Sequence, residues 1–158
     1  PVSLFHYVES VIFTKLNRQS MKIEELQFKD KVNVLPEEKP ATIFDINVIE
    51  GTVKYYIDFL NHYNVANIEI VYPIYLNGQI LLDNGFEYLD GRYYLKDIII
   101  ESENYLTKIG DKCNDNLFTV NALQHALRQY GHKDLADDFI VKVESLNLCG
   151  TQKMPEYN

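Results

Sequence analysis

Three Asn-Gly or Asp-Gly pairs lie close together in the stretch "IYLNGQILLDNGFEYLDGRYYL", which runs from Ile74 to Leu95. The pairs are Asn77-Gly78, Asn84-Gly85 and Asp90-Gly91. Because a type I′ turn needs positive φ at both central residues, such pairs between apolar runs are the strongest short-range signal for a β-hairpin. The stretch therefore predicts an antiparallel β-meander at about 67–95. Its four strands are expected near 67–76, 79–83, 86–89 and 92–95.

The same glycines invite a second interpretation, as loops that bind phosphate. Phosphate-binding loops place their glycines directly before a helix N-terminus and often add a Lys or a Ser/Thr. Here a strand is predicted after every pair, so hairpin turns explain all three. A calcium loop is excluded as well, because the oxygen ligands that an EF-hand needs are missing around Asp83.

Helical and strand periodicities alternate in the first half of the chain. Apolar residues between Val2 and Leu16 follow the helical period and predict an N-terminal amphipathic helix. Residues 42–49 alternate with the period of a strand. The apolar residues of 53–63 recur at helical spacing after a possible N-cap, Thr52, and predict a second helix.

Helical spacing also dominates the end of the chain. One helix is predicted from about Asp97 to a C-terminal glycine, Gly110. A second is predicted between a Thr119 cap and Gly131, and a third after Asp134. The predicted fold class is therefore α+β, with a mainly antiparallel sheet, the N-terminal helix and a helical C-terminal third.

The length of 158 residues fits one domain with a substantial core. We expect residues 1–110 to form the α+β core and residues 111–158 to form the helical part packed on it. No apolar run approaches the roughly 18 residues that a membrane span needs, and the start of the chain does not resemble a signal peptide. A cytoplasmic protein that does not bind membranes is expected, while the sequence leaves the oligomeric state open.

Negative charge is concentrated in the middle of the chain. The net charge is −8, and residues 41–90 contain one lysine, Lys54, against seven Asp or Glu residues. Such a field attracts basic partners and repels phosphate backbones. A basic protein is therefore the expected partner, and nucleic acid is disfavoured.

Tyrosines and carboxylates share one face of the predicted meander. Tyrosine is enriched at protein interfaces because it combines a large apolar body with a polar tip. The predicted partner-binding residues are Glu69, Tyr75, Glu87 and Tyr94. The sequence thus favours a small acidic protein-interaction module, of the kind that inhibitors and immunity proteins represent, which covers a basic surface of its partner.

Two other functions fit the same middle third. A hydrolase or nuclease-like enzyme would use carboxylates as general acid and base, and the candidates are Asp45, Glu50 and Asp58. Single-stranded nucleic acid could stack on Tyr75 and Tyr94, but this requires a basic track that the composition does not supply.

Sequence motifs for other site chemistry are absent. The four histidines lack the spacing of metal ligands, and we expect neither a metal site nor a cofactor. The two cysteines, Cys113 and Cys149, lie in no nucleophile motif and are expected to be free thiols. No catalytic nucleophile can be assigned from the sequence.

Overall fold

Two antiparallel five-stranded sheets dominate the structure, a computed structural model that describes residues 19–37, 39–58, 60 and 62–146. The predicted N-terminal helix between Val2 and Leu16 lies outside these residues. The predicted α+β class is wrong, because helices are few and short beside the two sheets. Each sheet contributes to its own apolar cluster, and a hydrogen bond from Lys31 N to Gln124 Oε1 links the two parts.

The first sheet contains the strands of the first half of the chain. They are β1 (Lys31–Val34), β2 (Pro40–Asn47), β3 (Thr52–Ile57), β4 (Tyr63–Asn67) and β5 (Val71–Pro73). Their order is β4-β3-β2-β1-β5. On the inner face, apolar side chains such as Val32, Ile43 and Val53 pack under Met21 and Leu26. The other face of β2, β3 and β4 is open to solvent in large part.

The helix predicted for residues 53–63 is wrong, because strands β3 and β4 occupy this region. Val53 and Ile57 are buried, whereas Lys54 and Tyr56 between them are exposed, which is the period of a strand. Positions four apart coincide on one side of both a helix and a strand, so this spacing alone could not separate the two. Gly51, with φ at 67°, lies in the turn between β2 and β3, and this turn lets the two strands pair as a hairpin.

The second sheet is a meander with helices on one face. Its strands, in both chain and spatial order, are β6 (Glu87–Leu89), β7 (Arg92–Leu95), β8 (Ile98–Glu101), β9 (Leu106–Ile109) and β10 (Cys113–Asn116). The helices are α1 (Gly78–Asp83), α2 (Val120–Gln129) and α3 (Lys133–Asp137). The core between them contains Ile98 and Ile100 from the sheet, with Leu123 and Phe139 from the covering segments.

The three glycine pairs that suggested hairpins have different roles. Asp90 and Gly91 both have positive φ, at 50° and 80°, and they form the β6–β7 hairpin turn as predicted. Asn77 instead caps α1, since its Oδ1 accepts from Ile80 N at 2.9 Å and its Nδ2 donates to Ser145 O at 3.0 Å. Gly85, with φ at 91°, follows the end of α1. The meander therefore begins at residue 87 rather than at 67.

The helical C-terminal third is also a wrong prediction. Strands β8 and β9 replace the helix expected at 97–110, and Gly110, with φ at 55°, lies in the turn before β10. The alternation of Ile98 and Ile100, both fully buried, outweighs the helical spacing around them. Of the predicted helices, α2 is present with its Thr119 cap, which accepts from Ala122 N at 3.3 Å. The third predicted helix is interrupted: α3 has five residues and ends at Asp137, and helical residues return only at 143–146.

A buried polar network joins the two halves of the described chain. Gln124 of α2 is fully buried, and its Oε1 accepts from Lys31 N at 2.9 Å. Asp30, also fully buried, contacts His125 Nε2 at 2.6 Å and accepts from Arg128 Nη1 at 2.7 Å. We call Asp30, Gln124, His125 and Arg128 the junction network. It connects the start of the first sheet to the main helix on the second.

Asp137 extends the junction network at its outer end. Its Oδ1 accepts from Arg128 Nε at 3.0 Å, and its Oδ2 contacts Lys133 Nζ. Burial raises the pKa of Asp137, but the hydrogen bonds and the positive charges of Lys133 and Arg128 together lower it by more. The net effect lowers the pKa of Asp137 from its ordinary value, so Asp137 stays charged at neutral pH and remains a counter-ion for Arg128.

Cys113 should react slowly with thiol reagents while the protein is folded. Cys113 is buried in the apolar core of the second sheet, and burial raises the pKa of its thiol. The thiolate fraction is therefore lower than for an exposed cysteine. In a Cys149→Ser variant, iodoacetamide labelling at pH 8 should be at least about tenfold slower without denaturant than in urea. The labelling is measured by mass spectrometry, and equal rates in both conditions would contradict this packing.

Candidate functional site

A cleft of about 530 Å³ opens where the outer face of the first sheet meets the segment after α3. Most of its walls are apolar or aromatic, and a small polar group forms one side. The residues that line it are Lys31, Thr42, Tyr56, Ile57, Asp58, Leu60, Ile140 and Val141. Concave, mainly apolar clefts with a few convergent polar groups are the usual form of binding sites.

The register of the first sheet places the key side chains in one row. Lys31 pairs with Thr42, Thr42 with Tyr56, and Tyr56 with Tyr63. Side chains at paired positions lie on the same face of an antiparallel sheet. Since the neighbouring row, which includes Val32, is buried in the core, this row lies on the outer face.

Lys31, Thr42 and Asp58 form a closed group of hydrogen bonds in the cleft. Lys31 Nζ donates to Thr42 Oγ1 at 2.6 Å and to Asp58 Oδ2 at 2.8 Å, and Thr42 Oγ1 donates to Asp58 Oδ1 at 2.5 Å. The side chains of Lys31 and Asp58 are only 11% and 20% exposed. The group therefore carries a compensated ion pair rather than a net charge, and both carboxylate oxygens are engaged.

Next to the cleft, three aromatic rings contact one another on the outer face. The ring centroids of Phe44 and Tyr56 are 4.5 Å apart, those of Phe44 and Tyr63 are 5.5 Å apart, and those of Tyr56 and Tyr63 are 6.5 Å apart. We call these residues the aromatic cluster. The β2–β3 register shifts between Ile43 and Asp45, and Phe44 lies at this irregularity. Tyr56 and Tyr63 remain 40% and 54% exposed.

The four predicted partner-binding residues do not form one surface. Glu87 and Tyr94 are directly paired on β6 and β7, so the structure brings these two together. Glu69 lies in the 3-10 turn Ile68–Ile70 beside the first sheet, and Tyr75 forms an isolated bridge with Thr119. Because residues 78–83 form α1 instead of a strand, the face that was to unite the four residues does not exist.

The three predicted acid/base residues are distributed along the β2–β3 hairpin. Asp45 lies 3.8 Å from Lys54 on the outer face, and Glu50 lies in the turn, where its N–H donates to Asn47 Oδ1. Asp58 follows the other end of β3, four residues from Lys54, which corresponds to about 13 Å along a strand. Only Asp58 lines the cleft, so the three carboxylates do not form a shared catalytic site.

The sequence did not reveal the residues that surround Asp58. Lys31 and Thr42 reach it through pairing of β1, β2 and β3, a non-local contact that periodicity does not report. Tyr56 and Tyr63 lie within the helix predicted for residues 53–63, although the alternation in "TVKYYI" indicates a strand with an exposed face. In a strand over Thr52–Ile57, Lys54 and Tyr56 lie on the same face.

Comparisons with known proteins do not identify this chain. No family model matches it, and no curated protein or solved structure is significantly similar to it. Among the residues that the structure describes, no group of three or more His, Cys, Asp or Glu could hold a metal ion. In the same part of the chain, no helix is long and apolar enough to cross a membrane.

Proposed function

We propose that the chain is a small acidic protein-interaction module that binds its partner through the outer face of the first sheet. One observation carries this proposal: an exposed aromatic cluster lies directly beside a concave cleft, and Tyr56 belongs to both. Single exposed apolar residues are normal on protein surfaces, whereas contiguous patches mark interaction sites. Rigid tyrosines also lose little conformational freedom on binding.

The cleft favours an uncharged anchor side chain from the partner. Its walls include Leu60, Ile140 and Val141, which offer apolar contacts. The ion pair of Lys31 and Asp58 is already internally compensated, so a charged anchor would gain little from it. A leucine or an aromatic residue that enters this cleft would be the buried centre of the interface, where binding energy is concentrated.

Basic residues on either side of that anchor fit the surroundings of the cleft. Aromatic faces attract cations, and Lys54 Nζ already lies 5.9 Å from the centroid of the Tyr63 ring. The net charge of −8 favours encounter with basic partners and disfavours nucleic acid. We therefore propose a cytoplasmic protein partner that presents an apolar residue flanked by Arg or Lys.

An enzyme remains the second candidate because the Thr42 hydroxyl contacts both Lys31 and Asp58. A hydroxyl nucleophile needs a neighbouring base. An ion-paired lysine is protonated and has no free electron pair for the hydroxyl proton, while Asp58 accepts two hydrogen bonds within the group. This geometry holds the cleft in shape, and it favours binding over proton transfer.

Asp58→Asn should destabilise the protein in addition to changing the cleft. The substitution leaves the largely buried Lys31 ammonium without its counter-ion, which should lower the free energy of unfolding by about 1–3 kcal/mol. The matched control is Asp45→Asn, whose pair with Lys54 is about half exposed and should contribute under about 0.5 kcal/mol. Urea unfolding measures both. Full stability of Asp58→Asn, together with loss of turnover on a hydrolysable substrate, would favour the enzyme.

Selection of random peptides tests the proposal and does not require an identified partner. A phage library of random peptides is selected on the immobilised full chain, and the recovered phage are then tested on a Tyr63→Ser variant. We expect an enriched motif with one leucine or aromatic residue beside Arg or Lys, and reduced capture by the variant. No enrichment, acidic motifs, or equal capture by both proteins would contradict the proposal, as would tight binding of a single-stranded oligonucleotide.

A further inference from the structure

Strand β4 is an unprotected edge of the first sheet. Proteins usually protect sheet edges with very short strands, charged side chains or proline, because an open edge pairs readily with another strand. Of the four edge strands that the structure describes, β5 and β6 have three residues each, and β10 contains Asp115. β5 also contains Pro73, and Met21 N donates to Val71 O beside it. In contrast, β4 has five residues, "YNVAN", with neither a charge nor a proline.

The register shows which main-chain groups of β4 point to the open side. Ile68 N donates to Gly51 O at 2.9 Å, which fixes the alternation of hydrogen bonds along β3 and β4. Alternate residues of β4 bond to β3, and these are Asn64 and Ala66. The N–H and C=O groups of Tyr63 and Val65 therefore point away from β3. Among the described residues, none hydrogen-bonds to these four groups.

The side chains of Tyr63 and Val65 lie on the outer face of the first sheet. Tyr63 pairs with Tyr56 and Val65 pairs with Lys54, and Tyr56 and Lys54 are both exposed. Val65 itself is 58% exposed. Since opposed residues of antiparallel strands share a face, a strand added beside β4 would place alternate side chains next to the aromatic cluster. The open edge is thus continuous with the proposed binding face.

Given the proposed function, on which this inference rests, we propose that the partner adds an extended segment to β4 as a sixth strand of the first sheet. Its main chain hydrogen-bonds to Tyr63 and Val65, and these bonds supply affinity independently of sequence. The alternate side chains that face Tyr63 and Val65 supply specificity, as in other complexes formed by strand addition.

Charge favours a basic segment over a second copy of this chain. β4 carries no charge, whereas Glu69 is exposed two residues beyond its end, where its N–H donates to Asn67 Oδ1 at 2.9 Å. A Lys or Arg at this end of the added strand gains a carboxylate partner. Two copies of the chain, each with a net charge of −8, repel one another. The occupant is therefore an extended segment with apolar residues at alternate positions and a basic residue near its end.

N-methylation of a bound peptide tests strand addition, because it removes one main-chain donor at a time. The probe is a synthetic peptide from the phage selection, methylated at each main-chain nitrogen in turn. Its Kd for the full chain is measured by fluorescence anisotropy. We expect the Kd to rise at least about tenfold at alternate residues and to change little at the residues between them. Equal tolerance of methylation at every position would overturn strand addition.

Val65→Pro tests the same hydrogen bonds from the protein side. Proline removes the Val65 N–H, which points to the open edge, so no bond to β3 is lost and the edge strand can accept it. Val65→Thr is the matched control, because it keeps the N–H and a β-branched side chain. The Kd should rise at least about tenfold for Val65→Pro and stay within about threefold for Val65→Thr. If Val65→Pro does not fold, the methylated peptides still test strand addition on the wild-type chain.

The outcomes distinguish strand addition from the proposed function itself. Equal tolerance of methylation, with binding still weakened by Tyr63→Ser, would overturn strand addition and leave the outer face as the binding surface. Recovery of no peptide, or equal binding by Tyr63→Ser and the wild type, would contradict both. Analytical ultracentrifugation of the free chain covers the remaining occupant: a dimer that Val65→Pro dissociates would assign the edge to a second copy and overturn the proposal.

Discussion

Replacing Asp30 with asparagine should lower the free energy of unfolding by about 3 kcal/mol, the lower end of the cost of breaking a buried ion pair. The carboxylate is fully buried, and the Arg128 side chain that it binds is only 14% exposed. Asparagine keeps the size of the side chain and removes its charge. Arg128 would then retain Asp137 as its remaining carboxylate partner, and its Nη2 already lacks a partner among the described residues.

Urea unfolding followed by circular dichroism measures the effect of Asp30→Asn. Asp45→Asn is the control, because it also removes a carboxylate from an ion pair but at the surface. We expect the control to retain wild-type stability within about 0.5 kcal/mol. A loss equally small in Asp30→Asn would show that the junction network contributes little to the fold.

Gln124→Met should have a comparably large effect through hydrogen bonds alone. Methionine has a similar shape, but it can replace none of the three hydrogen bonds of Gln124 with the main chain. The amide accepts from Lys31 N and donates to Lys29 O and Ala136 O, each at 2.9 Å. With about 1–3 kcal/mol for each buried group left unpaired, the expected loss is about 3 kcal/mol or more.

A second glutamine on the same helix provides the control for this experiment. Gln129 is exposed at the end of α2, so Gln129→Met should change stability by less than about 0.5 kcal/mol. Both variants are measured by thermal and urea unfolding. A Gln124→Met protein as stable as Gln129→Met would mean that the two sheets do not depend on this contact.

The parts of the fold that the sequence predicted are those that local chemistry determines. The Asp90-Gly91 turn requires positive φ at two residues, and the α2 cap requires only Thr119 and the helix that follows it. Asn77 failed as a hairpin signal because asparagine is equally suited to a helix cap, and its second bond goes to Ser145, far along the chain. Tertiary context decided between two locally acceptable structures.

The candidate site was predicted less well than the fold, for a related reason. Asp58 was identified as a carboxylate of interest, yet its partners Lys31 and Thr42 come from strands whose pairing depends on the whole first sheet. The aromatic cluster was missed because Tyr56 and Tyr63 satisfy a helical spacing as well as their actual strand positions. A binding face that is assembled across strands leaves little trace in any one segment.

Two tyrosines of equal exposure allow the most direct test of the proposed function. Tyr63 belongs to the aromatic cluster and Tyr88 lies on the second sheet, and both are 54% exposed. The Kd of a synthetic peptide from the phage selection is measured by fluorescence anisotropy for the wild type, Tyr63→Ser and Tyr88→Ser. We predict a Kd about 30-fold weaker for Tyr63→Ser, the loss typical of an interface hot spot, and an unchanged Kd for Tyr88→Ser. Equal affinities for all three proteins, or a loss confined to Tyr88→Ser, would contradict binding at the outer face of the first sheet.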